Sequence, residues 1–251
     1  MRRISAYSIS FLFLLISSFD QVKAQDTIVF PLKIKVGLEV SGPAIYYSDK
    51  KIFSTEGYIS TDINEKVSIV IGGGYLNYSH SQYNYEYLNK GVFARAGADF
   101  NLLKPEKGLG KYWAGIGLRY GISNFTSEVP SFQKDNYWGT TTSSISQETE
   151  WGHFLEVSPG VRAEVFKGFS IGWTISLRML LHSSTGNDLR PIYFPGFGNG
   201  AEKFNSGISY FLVWSIPYKK IKVIIKKEEP EETEEDTGQP GPGQQAPAVR
   251  Q

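Results

Sequence analysis

The chain has 251 residues, a formal net charge of +1 and no cysteine. A balance so close to neutral offers no basic field for nucleic acid. The absence of thiols excludes disulfides, cysteine-based metal centres and lipid attachment through an N-terminal cysteine.

The first residues have the layout of a secretory signal. Arg2 and Arg3 precede an apolar core from Ile9 to Ile16, and Val22-Lys23-Ala24 supplies a small residue before a cut at Gln25. That core is too short for a spanning helix, which needs about 20 apolar residues. Residues 1–24 are therefore expected to be a signal peptide, and their removal leaves 23 Lys+Arg against 24 Asp+Glu. No later segment reads as a transmembrane helix.

From residue 32 onward the pattern has period two. Tyr112, Ala114, Ile116, Leu118, Tyr120 and Ile122 alternate with Trp113, Gly115, Gly117, Arg119, Gly121 and Ser123, which is the signature of a strand with two unlike faces. The same alternation predicts eight strands at about 32–41, 53–63, 67–78, 91–103, 112–124, 150–165, 169–182 and 204–217. Most are long enough to cross a bilayer as tilted strands, which takes about 9–11 residues each. The connections alternate as well. Those at 42–52, 79–90, 125–149 and 183–203 are long, and those at 64–66, 104–111 and 166–168 are shorter. Long extracellular loops and short periplasmic turns alternate in this way in outer-membrane barrels.

The polar face carries Gly37, Gly72, Gly74, Gly97, Gly115, Gly117, Gly121, Gly152, Gly160, Gly172 and Gly207. Glycine weakens a strand on a solvated surface, yet an eight-stranded barrel interior is so narrow that it needs small residues. The polar face is thus expected inside. A soluble carrier of the lipocalin kind, with the apolar face inward, is the alternative. The inward face also holds Lys35, Arg95, Arg119, Arg162 and Arg178 against Glu39, Glu56, Asp62, Asp99, Glu156 and Glu164. Buried charges persist when they are paired. A central network of Glu39, Glu56, Arg95, Arg119 and Glu156 is expected, with Arg178 above it. A narrow pore is the competing reading of the same face. On the outward face, aromatic girdles are expected from Phe53, Tyr75, Phe125 and Trp151 toward the loops, and from Phe100, Tyr112, Phe169 and Tyr218 toward the turns.

From Lys219 the composition shifts, basic to Lys227, acidic from Glu228 to Asp236, then rich in Gly, Pro and Gln. Residues 25–218 are read as the barrel domain and 219–251 as a periplasmic tail that does not fold. Both termini are expected on the periplasmic side.

With these strands and connections the chain resembles the small outer-membrane barrels of the OmpX and OmpA transmembrane-domain type, in particular uncharacterised single-barrel families of exported proteins. The resemblance covers about residues 31–218 and implies an all-β, eight-stranded antiparallel up-and-down transmembrane barrel held in outer-membrane lipid. Asn205, Gly207, Tyr210 and Leu212 resemble the final-strand signal read by the barrel-assembly machinery, which the resemblance implies as a partner. His182-Ser183-Ser184 faintly resembles the His-x-Ser element of outer-membrane lipid A deacylases. Carried over, His182 is the base and Ser184 the nucleophile, with Glu202 the nearest downstream carboxylate. No cofactor and no metal cluster are implied. Tyr83, Tyr85 and Tyr87, then Phe132, Tyr137 and Trp138, then Tyr193, Phe194 and Phe197 give the long connections aromatic content suited to recognition, or mark strands that project as a sheet. The leading expectation is a non-enzymatic barrel with a closed, charge-paired lumen and a structural or surface-recognition role.

Overall fold

The computed structural model describes residues 27–107, 109–184 and 191–225. The expected signal peptide and the acidic, proline-rich part of the tail lie outside the described residues. Strands β1 (Thr27–Glu39), β2 (Ile52–Asp62), β3 (Val67–Gln82), β4 (Tyr85–Asn101), β5 (Tyr112–Asn136), β6 (Gly139–Phe166) and β7 (Phe169–Ser184) are joined by β10 (Phe204–Ile224). They close in the order β1-β10-β7-β6-β5-β4-β3-β2, with every ladder antiparallel. A helix α1 (Ser41–Ser48) follows β1, and a small hairpin, β8 (Tyr193–Phe194) with β9 (Gly198–Asn199), precedes β10.

Residues 63–66, 102–111 and 167–168 connect strands at one end, termed the turn end. The opposite, loop end carries α1, the β8–β9 hairpin and two tight connections. Two of the long loops expected from the sequence are strands instead. β3 and β4 remain paired from Val67↔Phe100 to Gln82↔Tyr85, and β5 and β6 to Asn136↔Gly139. Threonine, which opens the run at 140–144, favours strands.

The seam departs from expectation too. β10 does not stop near Pro217 but runs to Ile224, with partners from Lys33↔Pro217 down to Thr27↔Ile224. Proline lacks an amide donor and reads as a strand end. Here it sits beside a register shift at Leu32/Lys33 that leaves Tyr218 as the extra residue, its hydroxyl donating to the Asp62 carbonyl at 2.6 Å. The basic stretch assigned to the tail is thus, as far as Ile224, strand.

The outward face is apolar: Leu38, Ile59, Ile71, Val92, Leu118, Ile122, Leu155, Ile171, Leu177, Ile208 and Trp214 are all exposed. The inward face is polar and crowded. A Cβ at Gly121 would collide with the Phe154 ring and one at Gly152 with the Phe194 ring. Phe125, expected in the outward girdle, is 1% exposed inside the barrel. It lies two residues beyond Ser123 on the glycine face, so period two places it inward.

Candidate functional site

The interior has three levels. At the centre, strand pairing sets Arg119 directly opposite Glu156 and Glu156 opposite Arg178, so three charges share one cross-strand row. The Glu156 carboxylate is fully buried and accepts from Arg95 Nη1 at 2.8 Å, Arg178 Nε at 2.8 Å and Arg119 Nη1 at 3.3 Å. Arg95 also donates to Glu56 at 2.8 Å, and Arg119 to Asp99 at 3.2 Å. Three guanidiniums and three carboxylates therefore form one charge-balanced cluster. It differs from the expected network in three respects. Asp99 belongs to it. Arg178 is a direct partner of Glu156 and not a group above it. Glu39 stands outside, its carboxylate accepting from the Gly42 amide at 3.0 Å and from the Ser41 hydroxyl. A carboxylate at the start of α1 meets the exposed amides of the helix N-terminus, which draws it away from the arginines.

At the loop end the chain folds back into the barrel. Phe194 and Phe197 are 0% exposed and pack with Phe125, Phe154 and Leu180. Phe125 and Phe194 meet edge to face at 4.7 Å. The carbonyls of Gly196 and Phe197 accept from Arg95 at 3.4 Å and Arg178 at 3.3 Å, so this plug rests directly on the charge cluster. Gly196 adopts φ +74, a turn conformation open to glycine. Tyr193, Phe194 and Phe197 were expected in a solvated recognition loop and are interior instead. Burial pushes the Tyr193 phenol above its ordinary value, with the Arg178 charge opposing. Beside the plug, an open cavity of about 360 Å³ is lined by Glu39, Glu56, Arg178 and Asn205 among others.

Toward the turn end, Lys35 pairs with Asp62, which also accepts from Ser68 at 2.6 Å, and Lys33 pairs with Glu164 at 2.7 Å. Arg162 has no carboxylate partner among the described residues. It donates to Tyr58 at 3.1 Å and lies 5.2 Å over the Trp113 ring. Sequence reasoning missed Lys33, although a period-two step back from Lys35 finds it.

The His182 and Ser184 pair is placed on the outer rim. The His182 ring lies 5.6 Å from Trp151 and 5.7 Å from His153. The Ser184 hydroxyl accepts from the Trp151 amide at 3.0 Å and donates to its carbonyl at 3.1 Å, locking the strand ends together. Glu202 accepts from Asn199 at 3.3 Å. These contacts do not assemble a serine, base and acid in sequence. Among the described residues no group of three or more His, Asp or Glu is placed to hold a metal ion. Asn205 and Gly207 face inward and Tyr210 is exposed outward; Leu212 pairs with Leu38 at the seam.

Past the plug, the projecting parts of β3–β6 have their own packed inner face. Tyr87 and Val129 are buried with Tyr78, Tyr85, Phe132 and Ile145 against them. Tyr83 at 99%, Tyr137 at 93% and Trp138 at 91% exposure stand at the hairpin tips.

Several solved structures are similar. Ail, the attachment invasion locus protein of Yersinia pestis, is 8% identical with a TM-score of 0.34, covering 74% of this chain and 97% of its own. Neisserial surface protein A is 13% identical with a TM-score of 0.35, covering 77% and 100%. CarO of Acinetobacter baumannii is 12% identical with a TM-score of 0.36, covering 75% and 98%. Curated proteins gave no match. A family profile matches residues 2–221, and the chain belongs to that family, the Domain of unknown function family DUF6048.

Proposed function

We propose that this protein is a non-enzymatic outer-membrane β-barrel whose lumen is closed and whose projecting hairpins serve a structural or surface-recognition role. The observation that carries the reading is the inversion of its faces: an exposed apolar outer wall around a polar, ion-paired interior. Water-soluble monomers rarely expose apolar patches of that extent, whereas a closed barrel in hydrocarbon satisfies all its backbone groups and requires such a wall. The soluble-carrier alternative needs the opposite arrangement.

Closure is supported by the central cluster, which ties β2, β4, β5, β6 and β7 across the lumen, and by the phenylalanine plug above it. A hydrated pore keeps its charges solvated. A fixed set of mutually neutralising pairs instead occupies the cross-section. The exposed aromatic tips support recognition, since rigid Tyr and Trp side chains give contact area at low entropic cost. The orientation follows the usual arrangement, with the loop end outside the cell and the turn end in the periplasm. The final-strand residues Asn205, Gly207, Tyr210 and Leu212 are proposed as the segment met by the assembly machinery.

The test combines membrane fractionation with gel mobility of detergent-folded protein before and after boiling, followed by planar-bilayer recording. Retention in the outer membrane, faster migration unboiled and no steady conductance are expected. A soluble periplasmic protein without a mobility shift overturns the membrane reading, and steady single-channel steps overturn the closed lumen.

A further inference from the structure

Charge on the outside of the barrel is divided unequally between its two ends. At the loop end the exposed lysines have acidic neighbours: Lys50 and Lys51 follow Asp49, Lys134 precedes Asp135, and Lys203 follows Glu202. At the turn end lysine is in excess. Lys66 lies in the first connection, Lys107 and Lys111 in the second and Lys167 in the third, while Lys219, Lys220 and Lys222 are on the end of β10; all are exposed. The acidic side chains among them are Glu106 and the half-buried Glu65. Asp62 and Glu164, the other carboxylates near this end, lie inside and pair with Lys35 and Lys33. Among the described residues none of the exposed lysines at the turn end joins an ion pair.

The apolar wall fixes the depth of these lysines. On β10 the exposed Trp214 and Ile216 are followed by Tyr218 and then by Lys219 and Lys220. Lys111 directly precedes the exposed Tyr112, Lys167 stands between Phe166 and Phe169, and Lys66 adjoins Val67, the partner of the exposed Phe100. Tyrosine and tryptophan in such a belt sit at the headgroup level, from which a lysine stem carries its ammonium to the phosphates. The connections follow one another around the closed sheet, so the lysines are spread over its circumference. Along β10 they face no countercharge, because Lys219, Lys220 and Lys222 are opposite Leu32, Pro31 and Val29. A soluble polyanion needs the charge and not this placement. A positive ring at the edge of an apolar wall suits anionic lipid.

We infer that the turn end is a binding surface for anionic phospholipids, with Lys66, Lys111, Lys167, Lys219, Lys220 and Lys222 meeting their phosphate groups. On the outer-membrane reading proposed above, on which this rests, the turn end meets the periplasmic leaflet. Selection is electrostatic and therefore depends on salt, since exposed charges are screened over about 8 Å at physiological ionic strength and about 3 Å at about 1 M. It is concentrated at β10, where three of the lysines are near neighbours on one strand.

The experiment reconstitutes the full-length barrel in phosphatidylcholine bilayers that contain a minor fraction of brominated phosphatidylglycerol or, in a parallel set, of brominated phosphatidylcholine. Quenching of tryptophan fluorescence reports which lipid lies against the wall, with Trp173 and Trp214 exposed in the turn half. Phosphatidylglycerol should be enriched about fivefold for each lysine it meets, the equivalent of about 1 kcal/mol, and the excess should shrink at about 1 M salt. The variant carrying Lys219→Gln, Lys220→Gln and Lys222→Gln should lose most of the excess, because Trp214 is on the same strand, and should keep the boiled-versus-unboiled mobility shift. Lys50→Gln with Lys51→Gln, at the loop end, should keep the excess. Equal quenching by the two lipids, an excess that salt does not reduce, or an unchanged excess in the folded β10 variant overturns the proposal and leaves the membrane reading standing. Quenching by neither lipid overturns both.

Discussion

Replacing Glu156 by glutamine tests whether the central cluster holds the barrel together. The carboxylate meets three guanidiniums at 2.8, 2.8 and 3.3 Å from full burial. Glutamine keeps one acceptor oxygen and turns an amide toward the arginines, so at least one charge-assisted bond is lost. Such a bond contributes about 1.5–3 kcal/mol. The cluster also passes from neutral to one excess positive charge in a place that water does not reach freely. Removing one partner of a buried ion pair typically costs about 3–5 kcal/mol, and that is the loss expected for Glu156→Gln. Denaturant unfolding in detergent, followed by tryptophan fluorescence, reads the change directly. The double variant with Arg119→Gln should recover part of it, since neutrality returns. A loss below about 1 kcal/mol, the scale of an exposed pair, or strict additivity of the two variants, would refute the claim that the six groups act as one unit.

Three further outcomes follow from the geometry. Gly121→Val should prevent folding or displace Phe154, seen as loss of the fast-migrating unboiled band, because its side chain would occupy the space of that ring. Trypsin added to intact cells should cut at Lys134, near the exposed tip of the β5–β6 hairpin, and leave the rest of the barrel resistant; protection of Lys134 in cells but not in lysate would reverse the proposed orientation. Ser184→Ala should leave the lipid A profile unchanged and cost little stability, since the hydroxyl serves the Trp151 backbone at a strand end.

The strands were legible because a barrel wall exposes each residue to one of two unlike environments, and Tyr112 to Ser123 record both. The inward set was legible for the same reason, down to Arg119 and Glu156. What stayed hidden depends on partners far apart in sequence. Nothing near Glu39 announces that α1 will form beside it and claim its carboxylate. Phe194 and Phe197 look like loop aromatics until Gly121 and Gly152 are seen to leave room for rings. Pro217 mimics a strand end because a single missing amide is a local fact, whereas the tolerance for it comes from the bulge at Tyr218.

The seam between β1 and β10 carries a kinetic consequence. It joins the first strand of the barrel to the last, through thirteen partnered positions from Thr27↔Ile224 to Glu39↔Phe211. All other ladders join strands that are neighbours in the chain or separated by one short excursion. Contacts of such long range return nothing until the intervening segment is ordered. Insertion thus ends with one zippering event, and the edge of β1 stays open to pairing with other strands until that moment. Below Lys33 β1 and β10 have only each other as partners, so this extra length adds to the closing seam and to no other ladder.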